Sequence, residues 1–196
     1  GYGGLHYKDD SGRNDLVTHK VAVDREHVVF YAETRETLTS CTGSNWMLLL
    51  IDADQDPKTG WAGYDYIVNL KVIDAKTTTL MRYAREAPGR GWVEVARLPL
   101  HVAGKRLELM VPRKLLGLPD AAFSFDFKWT DNPTDLKDPL SLCTSGDTAP
   151  NRRFNYRCIW ILKPLASHSG LNRGQNLRFS SKMGGWRRLL GSWSGN

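Results

Sequence analysis

The feature that most restricts the fold of this chain is a repeated alternation of apolar and polar side chains. The clearest case is residues 123–130, where Phe, Phe, Phe and Trp at odd positions alternate with Ser, Asp, Lys and Thr. A period of two is typical of a β-strand with one face in a core and the other in water. The same pattern recurs at residues 28–33, 65–72 and 106–111. The chain is therefore predicted to consist mainly of strands.

Turn-forming residues separate the alternating segments from one another. In all, about nine short strands at a spacing of roughly ten residues favour an all-β fold, an antiparallel β-sandwich with jelly-roll or immunoglobulin-like layers. One short helical turn is predicted at residues 112–117, with Pro at its start and Gly at its end. The remaining predicted strands are residues 18–23, 46–52, 78–85, 91–97 and 154–161.

The charge of the chain is unevenly distributed. Of its 27 Lys and Arg residues, nine lie in residues 151–196, a stretch without Asp or Glu. Residues 1–150 thus carry 18 basic and 21 acidic side chains and are mildly acidic. Because nucleic-acid-binding domains usually present a basic face, nucleic acid is not an expected partner. The longest apolar run, residues 46–51, is too short to span a membrane, so no membrane partner is expected.

The alternating pattern ends near Leu165. We therefore predict a β-sandwich binding module over residues 1–165 and a basic tail over residues 166–196, rich in Ser, Gly, Asn and Arg. A disordered or non-native tail is the favoured interpretation of this composition, and a basic arm that binds an acidic polymer or membrane surface is the alternative. The chain opens with Gly-Tyr-Gly-Gly and no initiator Met, which indicates a piece of a longer protein.

The sequence contains no catalytic signature, and the chain is predicted not to be an enzyme. It has no Gly-x-Ser-x-Gly motif, no His-Glu-x-x-His motif and no Gly-rich phosphate loop. Paired carboxylates for glycoside hydrolysis would be recognisable only in space. The three cysteines fit neither a disulfide framework nor a metal site. A bond between Cys143 and Cys158 with Cys41 free, and three buried thiols, are the alternatives.

The most informative segment follows the apolar strand at residues 46–52. Asp52, Asp54 and Asp56 stand at alternate positions, and Asp65 follows later. Carboxylates at this spacing converge on a hard cation such as Ca²⁺ if the loop curls. The segment lacks the Gly and Glu of an EF-hand loop. The alternative is a solvated turn whose Asp side chains accept hydrogen bonds from nearby backbone amides.

Two tryptophans stand at positions suited to holding a sugar. Trp61 lies in a Gly-flanked loop and Trp129 at the end of the Phe-rich strand. The C–H-rich face of a pyranose stacks on such a ring, while Asn, Asp and Arg side chains bind the hydroxyls. Packing of Trp61 against the edge of the sandwich is the alternative. The nearby polar candidates are Asp131, Asn132 and Arg152.

These segments together resemble family 9-like carbohydrate-binding modules, which are similar to the wider DOMON group of β-sandwiches. The resemblance covers about residues 5–162 and rests on residues 46–52, 54–66, 125–132 and 146–150. It implies an antiparallel sandwich appended to a secreted or cell-surface bacterial enzyme that degrades polysaccharides. The implied partners are a polysaccharide or oligosaccharide ligand and a covalently linked catalytic domain.

The resemblance also implies roles for individual residues. Sugar would be bound between aromatic side chains, here Trp61 and Trp129, with polar contacts from Asp131, Asn132 and Arg152. Calcium is the implied cofactor, with Asp52, Asp54 and Asp56 as ligands. One alternative is a DOMON-type haem-binding domain with His101 or Met110 as an axial ligand. The other is a structural spacer domain without a ligand.

Overall fold

Ten β-strands form almost all the regular structure of the residues that the structure describes. The computed structural model describes residues 7, 9, 11–85 and 91–161. The helical segments are a 3-10 helix (Arg113–Leu116) and α1 (Ser141–Thr144). The strands are β1 (Leu16–Val23), β2 (His27–Thr34), β3 (Leu48–Asp52), β4 (Tyr66–Asp74), β5 (Thr77–Ala84), β6 (Gly91–Ala103), β7 (Arg106–Pro112), β8 (Phe123–Asp131), β9 (Asp147–Ala149) and β10 (Tyr156–Trp160).

All strand pairs are antiparallel, and the strands form two layers. The first layer has the order β1–β2–β7–β6, and the second has the order β6–β5–β4–β3–β8–β10, with β9 also paired to β8. The long strand β6 belongs to both layers, since Gly91–Pro99 pairs with β5 and Leu100–Ala103 pairs with β7. The predicted all-β antiparallel sandwich is therefore confirmed.

The main core lies between the two layers and follows the alternation of the sequence. Phe30 of the first layer and Phe125, Phe127 and Trp129 of the second are each at most 3% exposed. Phe30 meets Phe125 and Phe127 edge to face, with ring centroids 5.9 and 5.4 Å apart. This arrangement suits the charge distribution of aromatic rings. Burial of these apolar side chains is the main favourable contribution to folding.

A second apolar cluster covers the outer face of the second layer. Leu48 and Leu50 of β3 point away from the main core into this cluster, while their neighbours in the strand point inward. Because β3 is buried on both faces, its sequence is a continuous apolar run instead of an alternating one. The buried members of the cluster are Leu48, Leu50, Tyr64, Ile67, Met81 and Leu142.

The elements differ from the sequence prediction at a few places. β6 continues to Ala103 because its second half joins the other layer. β9 and α1 were not predicted, because segments of three and four residues show no periodicity. The predicted helical turn is present as the 3-10 helix, which ends at Gly117 with a φ of 68°. The predicted tail over residues 166–196 lies outside the described residues.

The three cysteines are all free, so of the two alternatives for them the Cys143–Cys158 bond is not formed. Cys143 lies in α1 and is half-buried, whereas Cys158 lies in β10 and faces the core. Burial raises the pKa of the Cys158 thiol to about 12, which is typical of an unreactive structural cysteine.

The described part of the chain contains no helix with the length and apolarity needed to cross a bilayer.

Candidate functional site

A cluster of three carboxylates lies where β3 ends. One oxygen each from Asp52, Asp54 and Asp65 lies within 4.8 Å of the other two. Asp52 is the last residue of β3 and Asp65 directly precedes β4. Because these two strands pair antiparallel, with Ile51 opposite Tyr66, both ends of the connecting loop meet at one place. We call these three residues the Asp triad.

The loop partly satisfies the triad with its own hydrogen bonds. The amide of Gln55 donates to Asp52 Oδ1 at 2.6 Å, and the amide of Ala53 donates to Asp65 Oδ2 at 2.9 Å. Burial, with added repulsion from the neighbouring carboxylates, raises the pKa of Asp52 to about 6. Burial also raises the pKa of Asp65. Solvent therefore stabilises the charged forms of Asp52 and Asp65 only weakly, whereas Asp54 is exposed.

The donor set of the triad fits a hard cation. Calcium prefers six to eight oxygen ligands, and three carboxylates meet here. Thr59 Oγ1 adds a neutral oxygen 3.1 Å from Asp54 Oδ1 and 3.3 Å from Asp65 Oδ1. The fourth predicted ligand, Asp56, is exposed and lies outside the triad. Its Oδ1 accepts a hydrogen bond from the Lys58 amide at 2.9 Å.

Asp126 of β8 adjoins the triad but has its own partners. It lies opposite Asp52 in the β3–β8 register. The Arg157 guanidinium donates to its two oxygens at 2.8 and 2.9 Å, and the Gln55 side-chain amide donates at 3.0 Å. The Gln55 bond joins the loop between β3 and β4 to β8, and the Arg157 bonds join β8 to β10.

Trp61 lies in a tight turn between the Asp triad and the outer face of the second layer. The backbones of Trp61 and Tyr64 exchange two hydrogen bonds of 2.8 and 2.9 Å. Gly60 has a φ of 59°, and a Cβ there would lie 2.1 Å from the Tyr64 carbonyl oxygen. Only glycine fits such a close backbone approach. The turn thereby fixes Trp61 relative to β3 and β4.

Four aromatic side chains form one contiguous group on the outer face of the second layer. The Trp61 ring centroid lies 6.5 Å from that of Tyr64 and 6.3 Å from that of Trp92 in β6. Trp92 in turn meets Tyr83 of β5 at 5.2 Å. We call these four residues the aromatic cluster. Tyr64 is buried, whereas Trp61, Tyr83 and Trp92 remain partly exposed.

Tyr83 and Trp92 were not predicted as site residues. They are direct partners across the β5–β6 pair, so their side chains share one face of the sheet. In the sequence they flank the turn signal Pro88-Gly89-Arg90-Gly91. Two aromatic residues on either side of a predicted turn are the signal that would have indicated their contact.

Trp129 lies in the main core and offers no surface to a ligand. It is 0% exposed and packs in β8 between Leu49 of β3 and Ala149 of β9. It belongs to the main core, whereas Trp61 packs against the outer cluster. The two rings therefore lie on opposite faces of the second layer and cannot enclose one sugar. This burial contradicts the predicted sugar contact at Trp129.

Asp131 is also a structural residue. Its carboxylate is 0% exposed. It accepts hydrogen bonds from the Arg13 guanidinium at 2.7 and 3.2 Å, the Asn14 side chain at 3.0 Å and the Met47 amide at 2.8 Å. A buried charge is tolerated when it is paired and hydrogen-bonded in this way. These contacts contradict the predicted sugar contact at Asp131.

The other two polar candidates keep accessible side chains. Asn132 is partly exposed, has a φ of 55° and donates its backbone amide to the Asn45 carbonyl at 2.9 Å. Arg152 is exposed, with a φ of 65°, in the connection between β9 and β10. We call residues 150–155 the β9–β10 loop. As sugar contacts, Asn132 and Arg152 stay predictions.

A buried lysine lies beneath the β9–β10 loop. Lys128 is 1% exposed, and its Nζ donates to the carbonyl of Pro150 and, at 2.8 Å, to that of Phe154. Burial lowers the pKa of Lys128 to about 8. The loop also contacts the aromatic cluster, because the Tyr64 hydroxyl donates to Asn155 Oδ1 at 2.7 Å. Burial raises the pKa of that Tyr64 hydroxyl.

The side chains considered as haem ligands lie outside the main core. His101 of β6 is exposed. Met110 of β7 alternates with Leu109 and Val111, which point inward, so Met110 lies on the outer face of its strand. Neither side chain can ligate a group held between the layers, and the structure gives the haem alternative no support.

Comparisons of the chain with protein-family models, curated proteins and solved structures give no match. Function is therefore inferred from the fold and from the arrangement of the Asp triad, the aromatic cluster and the β9–β10 loop.

Proposed function

We propose that this protein is a non-catalytic carbohydrate-binding module of a polysaccharide-degrading enzyme, and that the aromatic cluster is its glycan site. The observation that carries the proposal is the contiguous, partly exposed aromatic surface of Trp61, Tyr83 and Trp92. Large rings with one apolar face and a polar edge suit a ligand that is both C–H-rich and hydroxylated.

The proposal keeps Trp61 from the sequence analysis and replaces Trp129 with Trp92. Arg152 is a proposed hydroxyl contact because its loop is joined to the cluster through Asn155 and Tyr64. Asn132 stays a proposed polar contact on the evidence of its residue type and partial exposure. A few stacking and hydrogen-bond contacts correspond to affinities in roughly the micromolar to millimolar range. Such affinities suit a module that releases and rebinds its polysaccharide.

Calcium is the proposed cofactor of the loop that carries Trp61. When bound, it would offset the negative charge of the Asp triad. Asp52 and Asp65 would hold it from the two ends of the loop, with Asp54 and the Thr59 hydroxyl as further oxygen donors. Closing the loop at both ends would restrict the turn that presents Trp61. The role proposed for the metal is therefore structural.

Trp61→Ala and Trp92→Ala are each expected to lower glycan affinity by at least about 10-fold. Each removes an aromatic ring that the sugar would stack on, and such rings commonly supply a large share of the binding free energy. Affinity electrophoresis measures this effect in gels that contain hydroxyethyl cellulose, xylan, glucomannan or a β-1,3-glucan. Both rings also pack against the second apolar cluster, so we expect a lower melting temperature, and binding is measured at a temperature where each variant is folded.

Val95→Ala is the control for the tryptophan variants. Val95 is exposed on β6, close in sequence to Trp92, and its variant is expected to migrate like the unmodified protein. Absence of retardation of the unmodified protein across the whole panel, with and without calcium, would contradict the proposal and favour a ligand-free spacer domain. Unchanged retardation of both tryptophan variants would place the glycan site elsewhere.

Calcium at millimolar concentration is expected to raise the melting temperature by roughly 5 to 10 °C relative to excess EDTA. A ligand at 100 times its Kd stabilises a fold by about 2.7 kcal/mol, and each kcal/mol is worth about 2 to 4 °C for a domain of this size. Asp65→Asn is expected to abolish the shift. Asp56→Asn, which changes a carboxylate outside the triad, is expected to keep it. The reverse outcome for these two variants would disprove the ligand assignment.

A further inference from the structure

We propose that Lys128 is a positioning residue for the glycan site. Its buried ammonium fixes the β9–β10 loop beside the aromatic cluster, and Phe154 in that loop completes the ligand-contacting surface. This inference rests on the proposed function, because it assigns a further wall to the same site.

Within the described part of the chain, Lys128 buries a positive charge that no carboxylate pairs. Among the residues that the structure describes, no Asp or Glu forms an ion pair with its Nζ, which donates to the carbonyls of Pro150 and Phe154. Burying an ammonium is costly, and an apolar side chain of similar volume is often tolerated as well or better. The contribution that an apolar side chain could not make is therefore the attachment of the β9–β10 loop to β8.

The two carbonyls lie near opposite ends of the β9–β10 loop. Pro150 is its first residue and Phe154 its second-to-last, so one ammonium holds the loop at two points. The third attachment comes from the side, where the Tyr64 hydroxyl donates to Asn155 Oδ1 at 2.7 Å. Since Tyr64 also stacks on Trp61, with ring centroids 6.5 Å apart, the position of the loop is coupled to the aromatic cluster.

Phe154 is the most exposed aromatic side chain in this part of the molecule. Its side chain lies in the exposed stretch of the loop and the residue is 61% exposed, although its own carbonyl is held by Lys128. An aromatic face offered to solvent one residue from the Asn155–Tyr64 hydrogen bond is a further stacking surface for a glycan. Arg152, exposed in the same loop, would supply hydroxyl contacts.

The test is a double-mutant cycle with Lys128→Met and Phe154→Ala. The probe is the soluble polysaccharide of the panel that retards the unmodified protein most, in affinity gels. Each single variant is expected to weaken binding by about 5-fold or more. The double variant is expected to bind no more weakly than the weaker single variant, because both changes remove the same contact surface. We expect the melting temperature of Lys128→Met to stay within a few degrees, since the variant also removes a buried charge.

Two further variants keep the test decisive. Lys137→Met removes an exposed lysine and is expected to bind like the unmodified protein. Tyr64→Phe removes the other attachment of the loop and replaces Lys128→Met in the cycle if that variant does not fold. Additive effects in the cycle, or undiminished binding of the lysine variant, would overturn the inference. If these variants bind normally while Trp61→Ala and Trp92→Ala do not, the proposed function stands without it. If all of them bind normally, both the inference and the assignment of the glycan site to the aromatic cluster fail.

Discussion

Asp131→Asn is expected to lower the free energy of unfolding by about 3 to 5 kcal/mol, the usual cost of breaking a buried charge pair. The variant keeps the size of the side chain but removes the charge that pairs with Arg13. Oδ1 accepts from Arg13 Nη2, Asn14 and the Met47 amide, and Oδ2 accepts from Arg13 Nε. An NH₂ group at either oxygen position therefore faces a donor, so at least one buried donor is left without an acceptor.

Urea unfolding of the variant and of Asp120→Asn measures this effect. Asp120 is fully exposed and its Oδ1 lies 3.7 Å from Arg113 Nη2, and loss of such an exposed pairing is expected to change the free energy of unfolding by less than about 1 kcal/mol. Glycan binding of Asp131→Asn, measured at a temperature where it is folded, is expected to equal that of the unmodified protein. A stability loss below about 1 kcal/mol combined with weakened binding would restore Asp131 as a ligand contact.

The strands were predictable because their signal is local. Apolar and polar side chains alternate in the sequence of β8 from Phe123 to Thr130, even though its residues from Phe127 to Asp131 are all buried. β3 was also recognised, but its continuous apolar run does not reveal which side chains point to which face. Its pairing with β4 and β8 decides that Leu49 enters the main core and Leu50 the outer cluster.

The Asp triad was largely predictable for the same reason. Its members lie within 14 residues of one another, and Asp52 and Asp65 close one loop between paired strands. Asp56 was wrongly included because spacing alone does not tell which carboxylates of a curled loop turn inward. The local hydrogen bond to the Lys58 amide decides its position.

The aromatic site was not predictable in the same way, because it depends on register and on contacts between distant segments. Trp129 is an exception. It continues the inward series of Phe125 and Phe127, and this alternation predicts that its side chain is buried. Asp131 meets Arg13 across 118 residues of sequence, a contact that no local pattern indicates. The contact between Trp61 and Trp92 depends on how a loop folds over a strand that is distant in sequence.

Gly60→Ala is expected to lower the free energy of unfolding by about 2 to 5 kcal/mol and to weaken both calcium and glycan binding. The new Cβ would lie 2.1 Å from the Tyr64 carbonyl oxygen and 2.9 Å from the Asp65 amide nitrogen. Both atoms are backbone, so the turn itself must move. Moving the Tyr64 carbonyl breaks its hydrogen bond with the Trp61 amide, and moving Asp65 displaces one member of the triad.

Gly104→Ala separates the two causes of this loss. Gly104 has a φ of 60°, almost the same as the 59° of Gly60, but a Cβ there would meet nothing within 4 Å. Both variants thus share the cost of a left-handed alanine, about 1 to 2 kcal/mol. Only Gly60→Ala adds the cost of overpacking, about 1 to 3 kcal/mol. Urea unfolding, the calcium-dependent melting shift and affinity electrophoresis compare the two variants. Equal stability losses and intact binding in both would show that the turn adjusts at no cost. In that case the close approach at Gly60 does not hold Trp61 and the Asp triad in place.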